Sequence, residues 1–562
     1  MYACDKYVLD SPLNALVSYL RPPNSFFYFS AYVKHPNMTK HSDISHIEST
    51  QNQKTPINDG AGHAVQSERQ MGFREAIRLY PMAVLWSLGL SMAVVMEGYA
   101  VMLLSSFYAL PQFNRKYGQL QPDGTYVILA SWKSALSNGA VIGEIIGLFL
   151  TGIVQDRFGY RLTIFGGLCL VTGFIFLLFF AQNIEMLLAG EILCGIPWGT
   201  FQTITIAYAS EVCPVGLRAY LTTYVNLCWV IGQFIVSGVL RGLLDRPDQW
   251  AYRIPFAVQW AWPIPLMIIC LFAPESPWWL VRHGRQEEAR RSLVRLMSRS
   301  NNMVDETLAM IEHTDNIERE ASAGTSYREC FKRSNLRRTE IVCLVWLIQV
   351  ICGSQLMGYS TVFYIAAGLP ASSSFNMSLI QYGLGMIGTI LSWFLITRVG
   401  RRTLYLYGTA ALFCLLLIIG FVSLAPRGTT MNWAIGALLS VFTFTYDLMV
   451  GPVCYSLVSE LSSTRLRAKS VVLARNLYNV GNIVVNILIN YQLTSTAWNW
   501  GAKSAFFWAG VCFCCVVWVY FRLPEPKGRT YAELDVLFEN KVPARKFAST
   551  EVDVFQSIVV GR

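Results

Sequence analysis

Twelve apolar runs of about twenty residues each recur along this chain, and no other feature constrains its fold as tightly. At about 1.5 Å of rise per residue, a helical run of that length spans the roughly 30 Å hydrocarbon layer of a bilayer. Lipid offers the backbone no hydrogen-bond partners, so a run this long must satisfy its own amides as a helix. The runs place spans at 82–106, 132–154, 162–181, 186–208, 220–241 and 256–273. The second six lie at 341–364, 378–397, 404–424, 433–457, 470–490 and 503–523. The expected fold is therefore an all-α membrane protein with twelve transmembrane helices in two six-helix pseudo-repeats. Only 14% of the residues are charged, against about 25% in soluble domains. Polar sequence concentrates in an N-terminal tail at 1–80, a connection at 274–340 and a C-terminal tail at 524–562. These flank a first half at 81–273 and a second at 341–523.

The net charge of +10 invites a nucleic-acid reading, and the location of the charge argues against it. With both termini assigned to the cytoplasm, the even-numbered connections hold about 21 Lys and Arg and the odd ones about 7. The connection at 274–340 alone holds twelve, among them Arg282, Arg285, Arg290, Arg291, Arg337 and Arg338. That asymmetry is the positive-inside bias, which sets orientation in a bilayer. Within the same connection, Ala289, Leu293 and Leu296 recur at helical spacing inside Gln286–Ser298, as in an amphipathic helix lying on the membrane face.

Most of the fourteen cysteines fall inside the apolar runs without metal-ligand spacing, as small packing residues. Asp10 and Pro12 interrupt the first apolar stretch, so no cleavable signal peptide is expected. Residues 1–37 are aromatic and unpatterned, and Met38 opens an ordinary polar tail, which predicts a translation start at Met38. No Walker-type glycine loop, metal cluster or nucleophile elbow is visible. The chain is expected to be neither an enzyme nor the holder of a metal or cofactor.

An internal duplication organises the spans. Glu211 and Arg218 after span four return as Glu460 and Arg467 after span ten, each shifted by 249. Pro274-Glu275 after span six returns as Pro524-Glu525 after span twelve, shifted by 250. Asp156-Arg157-Phe158-Gly159-Tyr160-Arg161 after span two corresponds to Arg398-Val399-Gly400-Arg401-Arg402 after span eight. Charges repeated at one mouth of both halves can pair in one state and separate in another, as alternating access requires. Asp156, Arg157, Arg161, Glu211, Arg218, Arg401, Glu460 and Arg467 are thus candidate gating residues; the alternative is that they only fix topology.

These motifs, from about residue 75 to 540, resemble the sugar porter family of the major facilitator superfamily. Pro274-Glu275-Ser276-Pro277-Trp278-Trp279-Leu280 adds to the resemblance. Met96-Glu97-Gly98-Tyr99, Gly190 to Gly199, Met357-Gly358-Tyr359-Ser360-Thr361 and Ala474-Arg475-Asn476 look like the fungal α-glucoside, maltose-type permeases. The resemblance implies the major facilitator fold and transport of a sugar, with protons as a further partner and the plasma membrane as the location. It also implies a central site. Gln233 and Gln349 match glutamines that bond sugar hydroxyls, and Gln355, Asp447, Tyr455 and Asn482 fall at further sugar-contacting positions. Amides that donate and accept, with aromatic faces against C–H surface, suit a polyol. Gln233 and Asn482 are again 249 apart. The alternative reading is that buried Gln and Asn bind helices together.

Glu97, Glu144, Glu191 and Asp447 stand within apolar runs, as does the cation Arg475. An uncompensated charge there costs about 2.5–3.5 kcal/mol, so each is a functional candidate. Glu97, Glu144 and Glu191 are the proton-coupling candidates, and Arg475 is the charge partner if they form structural pairs instead. The family pattern in span one reads Glu-Gly-Tyr-Asp, with the Asp associated with proton coupling, and this chain has Ala100 there. Facilitative relatives carry a neutral residue at that place, so uniport and symport both stay open. Pro526 replaces a usual Thr, and Gln355 stands where the α-glucoside group often has Ser. A diverged carrier of another solute, such as a metabolite exporter, and a transporter-like nutrient sensor are the competing readings.

Overall fold

The computed structural model describes residues 73–560, apart from 123, 299–300, 323–326, 427, 464–465, 530 and 554–557. The N-terminal expectations, including the Met38 start, lie outside the described residues.

Span one is Pro81–Phe107, which begins on a proline whose missing N–H costs nothing in the first turn. Spans two and three share one helical segment, Ala130–Phe179, broken only at Gly159, whose φ of 82° suits a residue without a side chain. Spans four and five are Ile184–Val212 and Val215–Leu243. Span six joins Trp250–Val258 to Pro263–Phe272 through a 3-10 turn. Span seven is interrupted: Arg333–Ile351 is followed by Gln355–Gly358 and Ser360–Ala367. Span eight is Ala371–Arg398 and span nine Arg401–Val422. Span ten breaks at Val450 between Thr429–Met449 and Gly451–Leu461, and spans eleven and twelve are Arg467–Leu493 and Ser504–Arg522. Among the described residues, ten helices are long and apolar enough to cross a membrane, and one of them is the joined pair. With the interrupted span seven, this is the twelve-helix arrangement expected from the apolar runs.

The halves meet where spans five and eight and spans two and eleven run side by side. Within the first half, spans two and four approach backbone to backbone. A Cβ on Gly143 would lie 2.1 Å from the Ile192 carbonyl oxygen, and one on Gly195 would lie 2.3 Å from that of Ala140. Small residues one helical turn apart permit such contact, which is how helices associate where lipid supplies no hydrophobic drive. The outer surfaces carry exposed Phe149, Ile153, Phe394 and Phe421, as lipid contact demands.

Helices Pro277–Arg282, Gln286–Leu296 and Asn301–Ser322 occupy the connection between the halves. Gln286–Leu296 buries Ala289, Leu293 and Leu296 and exposes its charges. The side of the bundle that carries this connection is the linker side. There, too, lies the C-terminal helix Tyr531–Glu539, whose Phe538 sits under the Arg338 guanidinium at 4.5 Å.

Candidate central cavity and gates

Interrupted helices and buried amides meet at one central cavity between the halves. Gln233 from span five, Gln349 and Gln355 from span seven, and Asp447 and Tyr455 from span ten all line it. Asn482 and Arg475 from span eleven, with Glu144 and Glu191 from spans two and four, complete the sequence-expected residues on its wall. Gln355 Nε2 donates to Asn482 Oδ1 at 2.7 Å, which ties span seven to span eleven. Gln349 Nε2 donates to the Gly451 carbonyl at 2.9 Å, in the first turn after the break in span ten. Tyr455 stands edge-on to Trp346, with ring centroids 5.0 Å apart.

Glu97 is fully buried beside the cavity and does not line it. Its Oε1 accepts from Gln202 Nε2, and Gln202 Oε1 in turn accepts from Arg475. Arg475 therefore reaches the carboxylate through an amide relay between spans eleven, four and one. The guanidinium also lies over Tyr478 at 4.5 Å and Trp346 at 5.1 Å, two aromatic faces that suit a cation. Glu144 is the other charged neighbour of Glu97, and Glu97 Oε2 is buried with no partner among the described residues. Sequence reasoning missed Gln202. Its signal was a lone amide in the apolar run of span four.

Sequence reasoning also passed over Lys133, 6% exposed near the start of span two, whose Nζ donates to Thr494 Oγ1 at 3.3 Å. This bond belongs to a polar seam that joins the halves on the side away from the linker. Tyr359 donates to Ser137 Oγ at 2.7 Å, and Asn490 Nδ2 donates to the Tyr359 oxygen at 3.3 Å. Asn486 Nδ2 donates to Asn138 Oδ1 at 3.2 Å, and Ser105 donates to the Gly358 carbonyl at 2.9 Å. The seam closes the cavity on that side.

On the linker side the charged motifs pair within the second half, and between the first half and the linker that follows it. Arg282 lies 2.9 Å from Glu211, and Arg401 lies 3.1 Å from Glu460. Arg161 donates to the Cys270 and Leu271 carbonyls at 3.2 and 2.7 Å. Arg402 does the same for Tyr520 at 3.0 Å, its counterpart in the second half. Glu275 accepts from the N–H groups of Tyr160 at 2.9 Å and Arg161 at 3.2 Å, at the start of span three. Burial pushes its carboxyl above the usual range, while these N–H bonds pull it down. Glu525 accepts from the Thr403 N–H at 3.2 Å at the start of span nine, so both halves cap a helix with a carboxylate. Asp156 and Arg157 are exposed, with the Arg157 guanidinium 5.7 Å from the Phe158 ring. The side chains of Arg218 and Arg467 lie outside the described residues.

Comparison with known proteins adds the family. Residues 86–538 match the family described as "Sugar (and other) transporter". A maltose permease of Saccharomyces cerevisiae is 44% identical over 535 residues, covering 91% of this chain and 87% of that one. The general α-glucoside permease of the same yeast is 44% identical over 506 residues, or 88% and 82% of the two chains. The partially occluded, inward-open structure of the xylose transporter XylE from E. coli superposes with a TM-score of 0.66 at 18% identity. That match covers 80% of this chain and 100% of the other, a likeness of fold. With most of its length matched, the chain belongs to the sugar transporter family, whose members are multi-pass membrane carriers and not enzymes.

Proposed function

We propose that this chain carries an α-glucoside of the maltose class across the plasma membrane by alternating access, with both termini in the cytoplasm. The observation that carries the reading is the convergence on one cavity of Gln233, Gln349, Gln355, Asp447, Tyr455 and Asn482 from both halves. Amides and aromatic rings form a polyol site, and relatives named as maltose and α-glucoside permeases support the substrate class. The Lys and Arg excess on the linker side supports the orientation. The halves are assigned to 81–273 and 341–523, joined by the linker 274–340 and flanked by tails at 1–80 and 524–562.

Coupling runs through the buried charges. One guanidinium, Arg475, serves two neighbouring carboxyls, Glu97 and Glu144, so a second negative charge would stand uncompensated. Burial disfavours that charge, which gives the cluster room for one exchangeable proton. Glu191, 3% exposed on the cavity wall, is a second acceptor. Ala100 favours the alternative of an uncoupled facilitator, since no acid stands one turn beyond Glu97. The gate is assigned to the motif residues Asp156, Arg157, Arg161, Glu211 and Arg218, with Arg401, Glu460 and Arg467.

Uptake of maltose, trehalose and glucose in transporter-deficient yeast, with and without a pH gradient, tests the reading. Saturable maltose uptake is expected. Its absence alongside transport of an unrelated solute would transfer the chain to another substrate class.

A further inference from the structure

Asn226 lines the cavity on span five, seven residues before Gln233. That is two helical turns, or about 10 Å, nearer the linker side. On span eleven Arg475 stands seven residues before Asn482, so Asn226 and Arg475 are themselves 249 apart. The duplication that pairs Gln233 with Asn482 therefore builds a second polar tier below the first. In the upper tier Gln355 and Asn482 are bonded to each other, and Gln233 offers its amide beside them. In the lower tier the Asn226 amide lies beside the Asp447 carboxylate, and both line the cavity. Asp447 is 4% exposed, and a Cβ on Gly385 would lie 2.6 Å from its Oδ2, so span eight leaves this carboxylate no spare room.

A donor and a carboxylate side by side on a cavity wall suit a group that accepts from one and donates to the other, as a hydroxyl does. Trp229, one turn above Asn226, lines the wall between the tiers with an aromatic surface for sugar C–H groups. One pyranose ring cannot reach both tiers, and two linked rings can. We propose that Asn226 and Asp447 form a second subsite that holds the second ring of a disaccharide and selects it over a monosaccharide.

This rests on the α-glucoside reading, and the test separates the two. Binding of maltose and of methyl α-glucoside is measured on the purified full-length chain, for wild type, Asn226→Leu and Gln233→Ala. Asn226→Leu is expected to weaken maltose about tenfold, about 1.4 kcal/mol, and leave methyl α-glucoside within about twofold. Gln233→Ala is expected to weaken both. Maltose binding that survives Asn226→Leu, an equal loss of both sugars, or a wild type that binds both equally overturns the subsite alone. A wild type that binds neither sugar overturns the α-glucoside reading with it. If Asn226→Leu fails to fold, Asn226→Ser must show the same selective loss of maltose, and an equal loss of both sugars there refutes the proposal.

Discussion

Ala100 is 3% exposed on span one, and Glu97 three residues earlier shares its helix face. Ala100→Asp would add a third carboxyl, and so a further group able to carry a proton, to a cluster that holds one guanidinium. Substrate-induced alkalinisation of a lightly buffered cell suspension is expected to rise in Ala100→Asp over wild type. Strong alkalinisation by wild type that persists in Glu97→Gln, Glu144→Gln and Glu191→Gln would rule out the carboxyl account. Gln233→Ala is expected to raise the half-saturation constant by about five- to 150-fold, the span of about 1–3 kcal/mol for a lost buried hydrogen bond. An unchanged constant would make Gln233 a packing residue. Isolated charges such as Glu97 and Arg475 were legible in the sequence because each is costly in lipid. The relay Gln202 was not, because a single amide barely alters the hydropathy of its run. Lys133 escaped for another reason: a cation near a helix end reads as a topology signal, and only the packed neighbours reveal its burial.

At the scale of elements, run lengths located every span, since bilayer thickness leaves little freedom. Several helices nevertheless begin outside their apolar run, such as span seven at Arg333 and span eight at Ala371. Asp156 and Arg157 suggested a loop between spans two and three, yet the helix continues through both and breaks only at Gly159. Helical geometry tolerates exposed charges, and a positive φ ends it. The break in span seven at residues 352–354 carried no comparable mark, because Cys352-Gly353-Ser354 is as compatible with a packed helix as with a bend. Spans two and four offer the clearest test. Gly195→Leu would drive a side chain into the Ala140 carbonyl and the Gly143 Cα, both backbone atoms that cannot swing away. Loss of most of the surface-delivered protein is expected, whereas Gly173→Ala, with nothing within 4 Å of the new Cβ, is expected to leave delivery unchanged. Normal delivery of Gly195→Leu, measured by surface biotinylation, would show that the two helices can separate without harm.

The whole molecule is caught with its halves bonded on the side away from the linker. Tyr359, Asn486, Ser105 and Lys133 all take part in bonds across that seam, and Asn490 braces the Tyr359 hydroxyl from its own half. On the linker side, Arg282 of the linker pairs with Glu211 of the first half, and Arg401 with Glu460 inside the second, so neither pair bonds one half to the other. Alternating access needs the seam to be strong enough to close and weak enough to open, since water can replace each bond once it parts. Removing part of it should therefore shift the population without unfolding either half. Tyr359→Phe deletes the donor to Ser137, which keeps Tyr108 as a neighbour at 3.2 Å. Asn486→Ala deletes the bond to Asn138, whose amide still donates to the Ile483 carbonyl at 3.3 Å. At about 1 kcal/mol per bond, the double variant should move the equilibrium roughly thirtyfold toward a cavity open away from the linker. Spin labels on the loops after span one and after span eleven report that opening as a longer distance population in the purified chain. The long population is expected to grow in the double variant and to shrink again when substrate that binds the closed form is added. A distance distribution identical to wild type would mean that apolar packing along spans two and eleven closes this side, with the polar seam contributing alignment alone.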